Sequence, residues 1–93
     1  MFPVNEYFEG KVKSIGFQTA SGRATVGVMA AGEYEFGTAS VEIMTVTSGV
    51  LTVRLPGRAD WRVFGPGVSF EVGRGETFHL KVDADASYFC LYR

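Results

Sequence analysis

The chain has 93 residues, the length of one domain spanning positions 1–93, and a domain this small buries only about 60–65% of its unfolded surface, so self-association is a natural way to add stability. Hydrophobic residues at 46% and charged residues at 20% exclude a disordered chain. Nine basic against ten acidic side chains, net −1 with no run of either sign, exclude the electrostatic footprint of a nucleic-acid binder or of a protein held on an anionic membrane. A small ligand is expected. The single cysteine, Cys90, cannot form an intrachain disulfide. Met1-Phe-Pro-Val-Asn5 lacks the basic and apolar regions of a signal peptide, and no apolar run approaches the roughly 20 residues of a membrane span. The expected location is cytoplasmic. One Cys and one His cannot build a Cys/His zinc site within one chain, so chemistry falls to carboxylates, cations and hydroxyls.

In chain order, turn signals recur at Ala20-Ser-Gly22, Ala31-Gly32, Ser48-Gly49, Pro56-Gly57, Gly65-Pro-Gly67, Gly73-Arg-Gly75 and Asp83-Ala-Asp85. Short segments rich in Val, Thr, Phe and Tyr lie between them, and no apolar pattern of helical period runs for three turns without meeting Gly. The prediction is an all-β barrel with almost no helix, its twelve glycines serving turns and bulges.

Lys11–Gln18 alternates so that Lys13, Ile15 and Phe17 share one face and Val12, Ser14 and Gly16 the other. Lys13 either snorkels to water at a strand end or points into a cavity and binds an anion. Arg23 shares a face with Thr25, Gly27 and Met29, just past a Ser-Gly turn. It is either an exposed turn residue or a phosphate ligand, since its guanidinium fork matches phosphate oxygens. In Gly32–Thr38 the apolar face carries Tyr34, Phe36 and Thr38, which turns Glu33 and Glu35 outward.

Glu42-Ile-Met-Thr-Val-Thr-Ser-Gly49 and Val50–Leu55 read as a hairpin around Ser48-Gly49, with Glu42 placed to reach the middle of a small barrel. Further on, alternation nominates Trp61, Val63, Phe70, Val72, Phe78, Leu80 and Val82 for the core. His79 and Lys81 take the opposite face. Ser87–Tyr92 is apolar on both faces, as expected of a strand between the core and a partner subunit or covering strand. Cys90 is expected to be an inert core residue.

Glu42, six residues, Gly49 resembles the second half of the first cupin motif; Gly67, Gly73-Arg-Gly75 and Phe78 resemble the second, with its proline, histidine and asparagine replaced by Gly73, Phe78 and Val82. The missing histidine pair falls on Phe36 and Thr38. Of the positions that hold metal in a cupin only Glu42 can bind one, and one carboxylate is too few ligands. The resemblance therefore implies a metal-free, cofactor-free cupin-type barrel.

Over nearly the whole chain, Asn5-Glu-Tyr-Phe8, Gly10–Phe17, Gly22–Met29, Gly32-Glu-Tyr34, Met44-Thr-Val46 and Phe78-His-Leu80 resemble the small bacterial pyrimidine/purine nucleoside phosphorylases. Gly73 departs from the family's proline, within a turn. The resemblance implies a homodimeric glycosyltransferase that splits purine and pyrimidine nucleosides with inorganic phosphate. Its products are free base and ribose 1-phosphate. For such a displacement, with an oxocarbenium-like transition state, Glu42 is the expected catalytic residue, gripping ribose hydroxyls and favouring positive charge on the ring. Lys13 and Arg23 are candidates for phosphate, Ser14 and Thr38 for hydroxyl contacts, and Tyr34 or Phe36 for stacking on the base. Two alternatives come from other classes: a non-enzymatic cupin that binds a sugar or nucleotide, and a carbohydrate isomerase. Glu42 could equally be a solvated strand-start residue or pair with Lys13.

Overall fold

The structure, a computed structural model, describes residues 1–93 and contains ten strands and no helix. These are β1 Val4–Tyr7, β2 Val12–Thr19, β3 Gly22–Met29, β4 Gly32–Gly37, β5 Glu42–Ser48, β6 Leu51–Arg54, β7 Arg62–Phe64, β8 Ser69–Val72, β9 Thr77–Val82 and β10 Ala86–Tyr92. With no helix present, none is long and apolar enough to cross a membrane.

A six-stranded sheet in the order β1-β2-β3-β10-β5-β8 packs against a four-stranded sheet in the order β4-β9-β6-β7. All pairings are antiparallel, and from β3 onward the chain changes sheet at every connection except β6 to β7. The β2–β3 hairpin is local: the Thr19 hydroxyl accepts from Ser21 N–H at 3.1 Å and donates to Gly22 O at 2.8 Å, closing the turn around Ala20-Ser21. Sixteen buried residues from both sheets form one core, with Phe78, Met29, Leu51 and Leu80 its largest fully buried members. Each such side chain contributes about 1.5–3 kcal/mol by leaving water.

Alternation places Tyr34 and Phe36 inward and Glu33 and Glu35 outward, and buries Phe70, Val72, Phe78, Leu80 and Val82, as the sequence predicts. Two readings are corrected, and the open reading of β2 is resolved. The strands around Ser48-Gly49 do not pair: β5 lies between β10 and β8, while β6 lies between β9 and β7 in the other sheet. Gly49, at φ 81°, forms a corner there. A Cβ on it would lie 3.0–3.1 Å from Ala86 and the Asp85 carbonyl, so the bend is pressed onto the β9–β10 connection and turns the chain across the core.

In β2 the buried face is Val12, Ser14 and Gly16, leaving Lys13 and Ile15 exposed and Phe17 half-buried. The larger sheet carries apolar side chains on its outer face as well, and period two alone does not say which face is inside. In β7 it is Phe64 that enters the core, against Phe70 at 4.8 Å between ring centroids, while Val63 is 70% exposed. Trp61 precedes this edge strand and packs on the outer surface, with Lys81 Nζ 4.1 Å from its ring centroid.

Candidate functional site

A cavity of about 100 Å³ opens between the two sheets. Its floor is Ser14, Met29, Met44, Phe78, Tyr88 and Cys90, all buried. Its mouth is Tyr7, Phe36, Gly37, Glu42 and Tyr92, all partly exposed. Strand β10 contributes Tyr88, Cys90 and Tyr92 from a single inward face, and Glu42 of β5 lies opposite Tyr92 in the ladder. The lining holds one carboxyl, one thiol and several hydroxyls, with no lysine, arginine or histidine.

Glu42 Oε1 lies 3.7 Å from Cys90 Sγ, which donates to it. Burial pushes the Glu42 carboxyl above its ordinary value, and the Cys90 thiol and Arg23 charge partly offset this. Burial and then the Glu42 carboxylate push the Cys90 thiol up to about 12, so Cys90 stays protonated and is no nucleophile near neutral pH. Tyr88 is pushed up to about 12, chiefly by burial. Tyr92 is raised by the same cause, and its hydroxyl shares a 3.0 Å hydrogen bond with Thr25. Both phenols therefore remain neutral donors.

The Tyr88 ring reaches across β3 because Gly27, its partner in the ladder, has no side chain. A Cβ at Gly27 would lie 2.5 Å from Tyr88 Cζ. Ser14 is Gly27's partner on the other side, and its hydroxyl accepts from Asn5 Nδ2 at 3.3 Å.

Of the residues singled out in the sequence, Ser14, Phe36 and Glu42 meet at this cavity. Arg23 stands outside the lining, its guanidinium 4.4 Å from the centroid of the Tyr92 ring, and it is the cation whose charge reaches Glu42 and Cys90. Lys13 points from the outer face of β2, its Nζ 3.5 Å from Glu6 across the strand pair. Tyr34 is buried outside the lining, donating its hydroxyl to Ala30 O at 2.6 Å.

Thr38 is committed to the turn before β9. Its hydroxyl donates to Gly73 O at 2.6 Å and accepts from Glu76 N–H at 3.0 Å. His79 lies on the outer face of the smaller sheet, its ring nitrogens 2.8 Å from Glu35 Oε1 and 3.2 Å from an Arg54 nitrogen. The cavity residues bearing a hydroxyl or thiol that sequence reasoning missed are Tyr7, Tyr88, Cys90 and Tyr92. The last three stand at i, i+2 and i+4, but a strand apolar on both faces hides which set faces in.

This double-sheet barrel, with an inward glutamate on its fifth strand, has a cupin-like fold. It superposes on Fe(II) HppE with a TM-score of 0.79 at 11% identity, covering 99% of this chain and 56% of that one, a likeness of fold alone. A crystal structure of a Vibrio parahaemolyticus protein of unknown function superposes more closely, with a TM-score of 0.92 at 43% identity over 97% of this chain and 96% of that one.

The family model described as pyrimidine/purine nucleoside phosphorylase matches residues 2–92. A protein of that name from Pseudomonas fluorescens is 62% identical over 93 residues, covering 100% of this chain and 99% of its own. One from Marinobacter nauticus is 59% identical over 92 residues, covering 99% of each. The chain belongs to the pyrimidine/purine nucleoside phosphorylase family.

Proposed function

We propose that the chain catalyses phosphorolysis of purine and pyrimidine nucleosides with broad specificity and without a metal, yielding free base and ribose 1-phosphate. The observation that carries this reading is the lone carboxyl of Glu42 at the mouth of a cavity otherwise lined by neutral groups, with Arg23 just beyond it, in a chain of this family. The cavity has room for a pentose-sized group and not for a whole nucleoside. In this reading the ribose enters it, and the Glu42 carboxylate accepts hydrogen bonds from ribose hydroxyls while stabilising the positive charge that develops at the anomeric carbon.

Phosphate is assigned to Arg23, since Lys13 faces away and is paired with Glu6. A phosphate oxygen forms the new bond to the anomeric carbon as the glycosidic C–N bond breaks. The electron pair of that bond leaves with the base, which takes up a proton. The phenols of Tyr88 and Tyr92 are neutral donors and do not repel the anion. Broad specificity follows from a mouth of Tyr7, Phe36 and Gly37, which offers ring surfaces to a base rather than amide or charged groups that would read its edge. Metal independence rests on the donor set: one carboxylate and one thiol are too few ligands, and no group of three or more His, Cys, Asp or Glu side chains is placed to share an ion.

The test is to incubate the metal-stripped protein with uridine or adenosine, with and without phosphate, and to measure base and ribose 1-phosphate. Release of both products only with phosphate is expected. Binding without turnover would mark a nucleoside-binding protein, and turnover that requires added metal would overturn the metal-independent reading.

A further inference from the structure

The cavity is too small for a whole nucleoside, so a base attached to a ribose inside it must lie at the mouth. The aromatic rings there are not equivalent. Phe36 is hemmed in by four others: Phe78 stacked at 5.9 Å, Phe8 at 5.4 Å, Tyr7 at 5.9 Å and Tyr34 at 6.4 Å. Tyr92 has one face under the Arg23 guanidinium and its hydroxyl tied to Thr25. Tyr34 is buried against Phe8, with ring centroids 5.0 Å apart. Tyr7 is different: its one aromatic neighbour is Phe36, met edge-on at 84°, and 45% of its surface is open.

Its direction follows from the strand. Asn5, two residues earlier, bonds Ser14 in the inward row, and side chains two apart share a face. Tyr7 therefore leans over the cavity from the edge of the larger sheet. The turn that follows is fixed in an unusual backbone, with Phe8 at φ 53°, Glu9 at φ 59° and Gly10 at φ 86°, a region L-residues enter only when their surroundings hold them there. Phe8 wedged against Phe36 and Tyr34 does so, together with Gly10 N–H to Tyr7 O at 3.1 Å and Lys11 N–H to Phe8 O at 3.2 Å.

We infer that Tyr7 is the platform on which the nucleoside base stacks, with the Phe36 ring set at a right angle as a wall, so that Tyr7 fixes the affinity for nucleoside and the tolerance for both base classes. The inference rests on the phosphorylase reading and deepens it. A flat ring stacks on any base through its π-face, so purines and pyrimidines are accepted alike, the larger purine with the stronger overlap.

The test compares Tyr7→Phe, which keeps the ring, with Tyr7→Leu, which keeps an apolar cover and removes the π-face. For Tyr7→Leu the KM for adenosine is expected to rise about 5- to 150-fold, the loss of one base stack, with kcat and the KM for phosphate within about twofold of wild type. Tyr7→Phe stays near wild type. A second measurement needs no turnover: in phosphate-free buffer, NMR of adenosine with wild-type protein or Tyr7→Phe should show upfield shifts of the adenine protons that Tyr7→Leu abolishes. If the wild type shows Tyr7-dependent shifts but no phosphorolysis, the enzymatic reading fails and the stacking assignment stands. Adenine shifts that persist in Tyr7→Leu, or are missing from the wild type, overturn the assignment.

Discussion

Glu42 sits half-buried with a thiol as its hydrogen-bond donor, and burial raises its pKa above the ordinary glutamate value of 4.5. The native state therefore holds this proton more tightly than the unfolded chain does. Stability from that preference is complete below the ordinary value and is lost as pH rises through the raised one. Glu42→Gln removes the charge but not the shape. Its melting temperature relative to wild type is expected to climb as pH rises above the ordinary value of 4.5 and to level off once the wild-type carboxyl has ionised, while phosphorolysis falls by about 10²-fold or more, the scale of losing one electrostatic contact to a transition state. Melting curves across pH and initial rates check both halves. A melting difference that ignores pH would show that burial does not raise this carboxyl, and near-normal rates would move the chemistry off Glu42. Cys90, with its thiol pushed up to about 12, acts only as the donor to that carboxyl.

At the scale of single strands, β3 and β10 illustrate a site built by subtraction. Gly27 is the space in which the Tyr88 ring lies, with its hypothetical Cβ 2.5 Å from both Tyr88 Cζ and Oη. Gly27→Ala is expected to cost about 1–3 kcal/mol by overpacking. Combining it with Tyr88→Leu should recover part of that cost, which chemical denaturation of both single variants and the double variant would measure. Additive penalties would show that the two residues do not compete for the space.

The same strands mark the limit of what a sequence discloses. Turn chemistry located the boundaries from Ala20-Ser-Gly22 to Asp83-Ala-Asp85 except the β4–β5 connection at residues 38–41, where no Gly, Pro or Asp stands to mark it. The inward set of β4 was legible because Glu33 and Glu35 are charged and Tyr34 and Phe36 are not. In β2 both faces carry apolar residues, and in β10 nearly all positions do, so the partition that places Ser14, Tyr88, Cys90 and Tyr92 around Glu42 is written only in the packing. The two strands flanking Gly49 read as a hairpin because alternation specifies strands without specifying partners.

For the whole molecule, the outer face of the larger sheet stands out. Ile15, Val26 and Val28 are exposed on it, beside half-buried Leu91 and the Phe17–Phe89 ring pair at 6.3 Å. Neighbouring strands present these residues as one apolar surface on a chain too small to bury much elsewhere. We propose that this face joins two copies into a homodimer. Light scattering should give twice the chain mass for wild type and the chain mass for Val26→Lys combined with Phe89→Lys. A monomeric wild type, or a dimer indifferent to the two lysines, would place the contact elsewhere or abolish it.

Strand β10 follows every other strand in the chain yet sits in the middle of the larger sheet, between β3 and β5. On one side of it the sheet consists of β1, β2 and β3, on the other of β5 and β8, and no hydrogen bond of the ladder joins these halves directly. Only β10 pairs with both halves, through β3 on one side and β5 on the other. The strand that closes the sheet also carries Tyr88, Cys90 and Tyr92. Closure of the larger sheet and completion of the cavity thus depend on one strand, and a chain without β10 in place has neither.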